Sequence, residues 1–209
     1  MKTEQEIRLK DYQPSPFQIT DVHLTFEITP FSTKVTSTLT IRKDIEIADK
    51  NTSLVLDKDK YDIISVVANG MVLIPGEYDC DDETFRLART PGLFELEITN
   101  ILHPQDNTSL EGLYQSGRIL CTQCEAQGFR KITPFIDRPD VMATYTCTII
   151  ADQDTYPVLL SNGNAVKKGK LDNNRHFVQW QDPFKKPSYL FAMVAGDLAC
   201  LEDSYKTMS

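Results

Sequence analysis

An all-β domain with very little helix is what this sequence predicts, on three observations. Apolar and polar residues alternate with period two along several runs, and turn signals such as Asn-Gly separate those runs at short spacing. No window keeps a 3.6-residue apolar repeat beyond a few turns. Alternation of this kind sends one face of a strand into a core and the other into solvent.

Residues 1–10 are polar and charged and read as an extension, with the domain proper over 11–209. Residues 19–28 alternate as a half-buried strand through Ile19, Val22, Leu24, Phe26 and Ile28. The next run, 34–45, sets Val35, Leu39 and Ile41 among threonines, whose β-branching suits a pleated surface, and the two runs read as an antiparallel pair. Asn69-Gly70 separates 63–67 from 71–74, and Asn-Gly readily supplies both positive φ angles of a two-residue hairpin. Strands are expected at 84–87, 94–99 and 143–151. Asn162-Gly163 predicts a second hairpin, joining 156–160 to 165–166, and Asp172-Asn173-Asn174 a third, joining 168–171 to 176–180. A last strand is expected over 189–199, and one short helical turn fits 128–132. Pro134, Pro139, Pro183 and Pro187 bracket irregular stretches, the longest from 129 to 142.

At 209 residues the chain suits one large all-β domain or two small ones. A domain of that size buries roughly 70% of its unfolded surface, enough for a core without staples. No internal repeat or long linker divides it. A formal net charge of −8 argues against nucleic acid as a partner, because phosphate binding needs clustered Lys and Arg. The amino terminus has no apolar stretch long enough for a signal peptide or a membrane span, so no membrane partner is expected and the cytoplasm is the expected location. Five cysteines, an odd number without framework spacing, fit a reducing compartment where thiols stay free.

Cys121 and Cys124 form a CxxC, but a structural zinc needs a second pair or spaced histidines, and a redox pair needs an α/β context. His23, His103 and His176 lie far apart, none with a histidine four residues on. A nucleophile elbow and a phosphate-binding glycine loop are likewise missing. The chain itself is therefore assigned no catalytic residue and no metal ligand. Gln123 and Glu125 are different. They lie two apart, so if residues 122–126 are extended, an amide and a carboxylate share one face. Such a pair can hydrogen-bond an ammonium group and its neighbouring peptide, although a glutamate taken alone is more often a solvated surface group.

Several stretches together carry a family resemblance. They are Leu110-Glu111-Gly112-Leu113-Tyr114-Gln115-Ser116-Gly117, the segment Cys121-Thr122-Gln123-Cys124-Glu125 continuing to Arg130, Asp137-Arg138-Pro139-Asp140-Val141, Leu159-Leu160-Ser161-Asn162-Gly163-Asn164, and Trp180-Gln181-Asp182-Pro183-Phe184 continuing to Asp197. In order and spacing the set resembles the amino-terminal domain of bacterial aminopeptidase N, a family of zinc exopeptidases. Arg138 stands where the wider family has a glutamate, which is similar to the bacterial branch. The resemblance implies a saddle-shaped, mostly antiparallel, β-sandwich-like domain over a thermolysin-like catalytic domain. It implies that Glu125 binds the α-ammonium of a peptide substrate, together with a glutamate from a Gly-Ala-Met-Glu-Asn loop of that catalytic domain, and that Gln123 lines the first-residue pocket. Zinc is then bound outside this chain, because the family's His-Glu-x-x-His helix lies beyond Ser209. The expected partners are peptides and the catalytic domain of the same polypeptide. An isolated domain or a truncated product, without peptidase activity of its own, is the expectation.

The rival is a stand-alone β-sandwich interaction or carbohydrate-binding module, displaying Trp180, Tyr114, Tyr189 and Phe191 as exposed aromatics. A domain taken from its neighbour should instead expose an apolar patch near residues 121–135.

Overall fold

A computed structural model describes residues 8–207. Residues 1–7 of the expected polar extension, and the last two residues, lie outside the described residues. The strands in chain order are β1 (Phe17–Ile28), β2 (Thr33–Lys43), β3 (Leu54–Asp57), β4 (Ile63–Ala68), β5 (Met71–Val72), β6 (Asp79–Cys80), β7 (Thr84–Leu87), β8 (Leu93–Leu102), β9 (Gly112–Ser116), β10 (Ile119–Gln123), β11 (Met142–Asp152), β12 (Val158–Ser161), β13 (Asn164–Lys170), β14 (Arg175–Pro187) and β15 (Met193–Gly196). Helix among the described residues is limited to short 3-10 turns, one of them Phe129–Lys131 within the expected 128–132. None is long and apolar enough to cross a membrane.

Three sheets form from these strands. The largest runs β13-β14-β11-β1-β2-β8-β4-β5, a second runs β12-β15-β10-β9, and a third runs β3-β7-β6. All strand pairs are antiparallel except β1 with β11. The alternation predicted from sequence is the alternation of burial. β2 buries Val35, Leu39 and Ile41, β8 buries Phe94, Leu96 and Ile98, and β11 buries Tyr145, Cys147 and Ile149. In β1 the buried set changes phase between Ile19 and Val22, because a register shift between Ile19 and Asp21 absorbs one residue. The core draws on all three sheets, with Phe85 from the third and Leu120 and Ala195 from the second packed into one cluster. Each fully buried Phe, Leu or Ile contributes about 1.5–3 kcal/mol relative to exposure.

Asn69-Gly70 does form the two-residue hairpin, both residues having positive φ and Val67 facing Val72. The hairpin at 172–174 forms too, with Lys170 facing His176. Asn162-Gly163 does not make a hairpin. There the chain passes from β12 in the second sheet to β13 in the first. Asn162 spends its side chain on docking, accepting from Ala192 N at 2.7 Å and donating to Leu190 O at 3.1 Å. Gly163, at φ +85°, lies so close to Gln181 that a Cβ would fall 2.1 Å from its carbonyl oxygen. The last expected strand is also shorter than 189–199. Ser188–Leu190 is a 3-10 turn, and only Met193–Gly196 pairs.

Candidate functional site

Gln123 is the last residue of β10, which pairs with β9 on one side and β15 on the other. Gln123 faces Gly112 across the β9 ladder, and Thr122 Oγ1 accepts a 2.9 Å hydrogen bond from Met193 N at the start of β15. Extended structure stops there. Residues 125–128 turn, and the turn is closed by Gly128 N donating to Cys124 O at 2.8 Å. Two glycines let this turn fold back on β9. A Cβ on Gly128 would lie 2.4 Å from Gln123 O and 3.1 Å from Gly112 N, while one on Gly112, at φ +70°, would lie 2.6 Å from Lys131 Cβ.

A buried polar network fixes the chain on the far side of this turn. Asp137, 2% exposed, accepts at Oδ2 from Arg130 N (3.2 Å) and Arg130 Nε (3.1 Å), and at Oδ1 from Ser188 Oγ (2.6 Å). Arg130 Nη1 also pairs with Asp57 Oδ1 at 3.3 Å, and Tyr61 donates its hydroxyl to Arg130 O at 3.0 Å. Beneath the network Phe129 packs edge-on against Phe135 at 4.7 Å and Phe191 at 5.4 Å between ring centres. Phe129, Ile132 and Phe135 are fully buried, so the apolar patch expected near residues 121–135 is not displayed by these side chains.

What the segment does display is polar. Gln123 and Glu125 are both exposed, and Gln123 Nε2 donates to the Glu125 carbonyl at 3.4 Å. A turn brings them together, where the extended geometry considered from sequence would have required 122–126 to remain a strand. No cation among the described residues pairs with the Glu125 carboxylate. Near β10, a shallow groove of about 150 Å³ is lined by Leu160, Ser161 and Asn162 at the end of β12 and by Ala192, Met193 and Val194 at the start of β15. A larger cavity of about 550 Å³, lined by Asp59, Tyr61, His103 and Lys131 among others, includes neither Gln123 nor Glu125.

Residues 12–190 match the family described as the peptidase M1 N-terminal domain. The chain belongs to that family. Aminopeptidase N of Caulobacter vibrioides is 47% identical to this M1 N-terminal domain over 207 residues, covering 99% of this chain and 24% of that protein. Aminopeptidase N of Escherichia coli is 46% identical over 199 residues, or 95% of this chain and 22% of that protein. Among solved structures, Legionella pneumophila aminopeptidase A in complex with aspartic acid has a TM-score of 0.87 at 34% identity, covering 92% of this chain and 23% of that one. An M1 zinc metallopeptidase from Deinococcus radiodurans has a TM-score of 0.71 at 14% identity, covering 87% and 42%, a likeness of fold alone. The chain spans about a quarter of the length of the curated relatives it matches.

Within this M1 N-terminal domain the described residues do not fit zinc. No three His, Cys, Asp or Glu side chains among them converge as ligands would. In the CxxC, Cys124 is buried, and burial followed by the charge of Asp137 pushes its thiol well above the ordinary range. A thiolate ligand or nucleophile needs the opposite shift. His103 Nδ1 and His176 Nε2 are engaged with the carbonyls of Phe31 and Tyr156, and His23 is exposed on β1. The aromatics that would mark a carbohydrate-binding face are not displayed as one. Phe191 is buried, and Trp180 is half-buried with Nε1 donating to Leu159 O at 3.1 Å. Sequence reasoning placed Asp137, Gly112 and Gly128 inside family-like motifs, yet assigned them no task. Their contacts to Arg130, Ser188 and Lys131 supply it.

Proposed function

We propose that this domain supplies the substrate-anchoring surface of an aminopeptidase, with Glu125 holding the α-ammonium of a peptide and Gln123 lining the pocket for its first side chain. The observation that carries the reading is the Gln123/Glu125 corner itself. Two exposed polar side chains, one at the end of β10 and one opening the turn that follows, stand between buried Cys124 and the buried Gly128 and Phe129, and no cation among the described residues pairs with the Glu125 carboxylate. A carboxylate is ionised at neutral pH and a peptide α-amino group is mostly protonated, so the two attract. An exopeptidase must measure one residue from a free amino end, and a fixed charge facing that end sets the distance to the reacting bond.

The names of relatives support the same reading, since three proteins 46–47% identical to this chain are named aminopeptidase N. On it, residues 11–209 pack against a catalytic domain of the same polypeptide. That domain holds the zinc that supplies the hydrolytic chemistry, and the chain's own residues bind and orient the peptide. Five free thiols, Cys80 and Cys200 of them exposed, support a reducing, cytoplasmic setting.

The test is kinetic. In the complete aminopeptidase carrying this domain, Glu125→Gln keeps shape and removes charge. Losing one partner of a desolvated charge pair costs about 2–5 kcal/mol, so kcat/KM for an alanyl anilide falls by more than tenfold. An unchanged kcat/KM removes the anchoring role.

A further inference from the structure

We infer that Asp137 is the positioning residue of the Gln123/Glu125 corner, an inference that rests on the anchoring reading above. The two oxygens of its carboxylate are committed to different flanks of that corner. Oδ2 accepts from the backbone N and the Nε of Arg130, in the 3-10 turn that continues the 125–128 turn. Oδ1 accepts from Ser188 Oγ at 2.6 Å, in the 3-10 turn Ser188–Leu190 that leads into β15. Since β15 is the strand beside β10, one side chain ties down both the turn after Glu125 and the neighbour of the strand that ends at Gln123. Arg130 returns the link by donating Nη2 to Asp137 O at 3.3 Å, and Asp137 N donates to Asp57 Oδ2 at 3.2 Å.

The clamp is charge-assisted, and its Asp137 end is buried. At 2% exposure the Asp137 carboxylate has little access to water, so its partners cannot be replaced by solvent without rearrangement. Asp137 touches neither Gln123 nor Glu125 through any hydrogen bond, so it acts by holding the backbone that presents them. A displacement of about 1 Å at a reacting centre costs as much as 100-fold in rate, which gives such a clamp kinetic weight. A clamp of this kind is what a short polar corner needs, because the exposed turn buries none of its own polar side chains.

A double-mutant cycle in the complete aminopeptidase separates positioning from general stability. Asp137→Ala lowers kcat/KM by about tenfold in the wild-type background. In the Glu125→Gln background it lowers kcat/KM by no more than about threefold, because the charge it positions is already gone and only the contribution of Gln123 remains. Ser188→Ala removes only the 2.6 Å donor and gives the same pattern at a few-fold scale. It decides the matter if Asp137→Ala does not fold. A folded Asp137→Ala enzyme with unchanged kcat/KM overturns the inference, and so does an equal loss in both backgrounds. For Ser188→Ala, a silent or fully additive effect overturns it likewise. If Glu125→Gln alone is silent, the anchoring reading fails first and the positioning role falls with it, an outcome distinct from the others.

Discussion

Gly70 and Gly163 each follow an asparagine, and the same dipeptide does different work at the two places. At Gly70 the backbone needs φ +78° and nothing stands within 4 Å of where a Cβ would sit. Gly70→Ala therefore costs about 1 kcal/mol, a purely conformational loss. At Gly163 the same change meets the Gln181 carbonyl at 2.1 Å and the Asp182 Cα at 2.7 Å, backbone that has no free end to move. Gly163→Ala costs more than about 3 kcal/mol, and urea midpoints of the two variants rank them directly. Only the first role was legible in the sequence. A dipeptide reports its own turn preference, whereas the carbonyl that crowds Gly163 comes from a strand formed later in the chain. Gln123 and Glu125 could be proposed from sequence for a related reason: they are two polar residues close together in a recognisable segment. Asp137 was legible only as a motif letter, since its partners Arg130, Ser188 and Asp57 stand 7, 51 and 80 residues away.

Among the elements, length made the reading easy, although four-residue β7 (Thr84–Leu87) was also read at its observed bounds. β1, β2, β8 and β11 run for 10 to 12 residues with one face buried, so their alternation repeats often enough to identify them. β3, β6, β9 and β10 have two to five residues each and show too few repeats. β10 is nonetheless the strand that presents Gln123, so the element nearest the proposed site was among the least visible as an element. β14 was visible only in part. Pro183 read as a bracket to an irregular stretch, yet it lies inside Arg175–Pro187. The β11 register slips between Ala143 and Tyr145, opposite Lys186 and Asp182, and Pro183 falls within that slip. On the other side β13 pairs no further along β14 than Gln181. A residue without an N–H is tolerated where the ladder is already interrupted.

Across the whole molecule, half-buried carboxylates and more deeply placed thiols and phenols shape the pH dependence of stability. Asp21 is held below its ordinary value of 3.8 by hydrogen bonds from Thr144 and then Thr20, and Asp140 by Arg138 before Tyr12. A carboxylate whose folded pKa is depressed stabilises the fold above its unfolded pKa, and that contribution is lost as pH falls through the folded value. Cys147 works from the other side, its thiol pushed from 9.0 up to about 12 by burial, and burial likewise raises Cys124, Tyr61 and Tyr145. These groups stabilise the fold fully below their unfolded pKa values, and the contribution is lost as pH rises through the folded ones. Burial lowers Lys186, whose charged form the fold disfavours, so it partly offsets that loss near its ordinary 10.5. Urea midpoints of the chain should therefore stay level between about pH 6 and 8, fall below about pH 4, and fall again above about pH 9. Midpoints that rise above pH 9 would contradict this assignment.

The measurement closest to the central claim tests inhibition of the full-length protein's proposed peptidase activity by phenylalanine and by 3-phenylpropanoate, which differ only in the α-ammonium. Each is assayed with the wild-type enzyme and with Glu125→Gln. If Glu125 holds that ammonium, the variant weakens phenylalanine by more than tenfold, leaves 3-phenylpropanoate within about twofold, and the preference between them shrinks accordingly. An equal loss for both inhibitors, or no loss for either, would contradict the account.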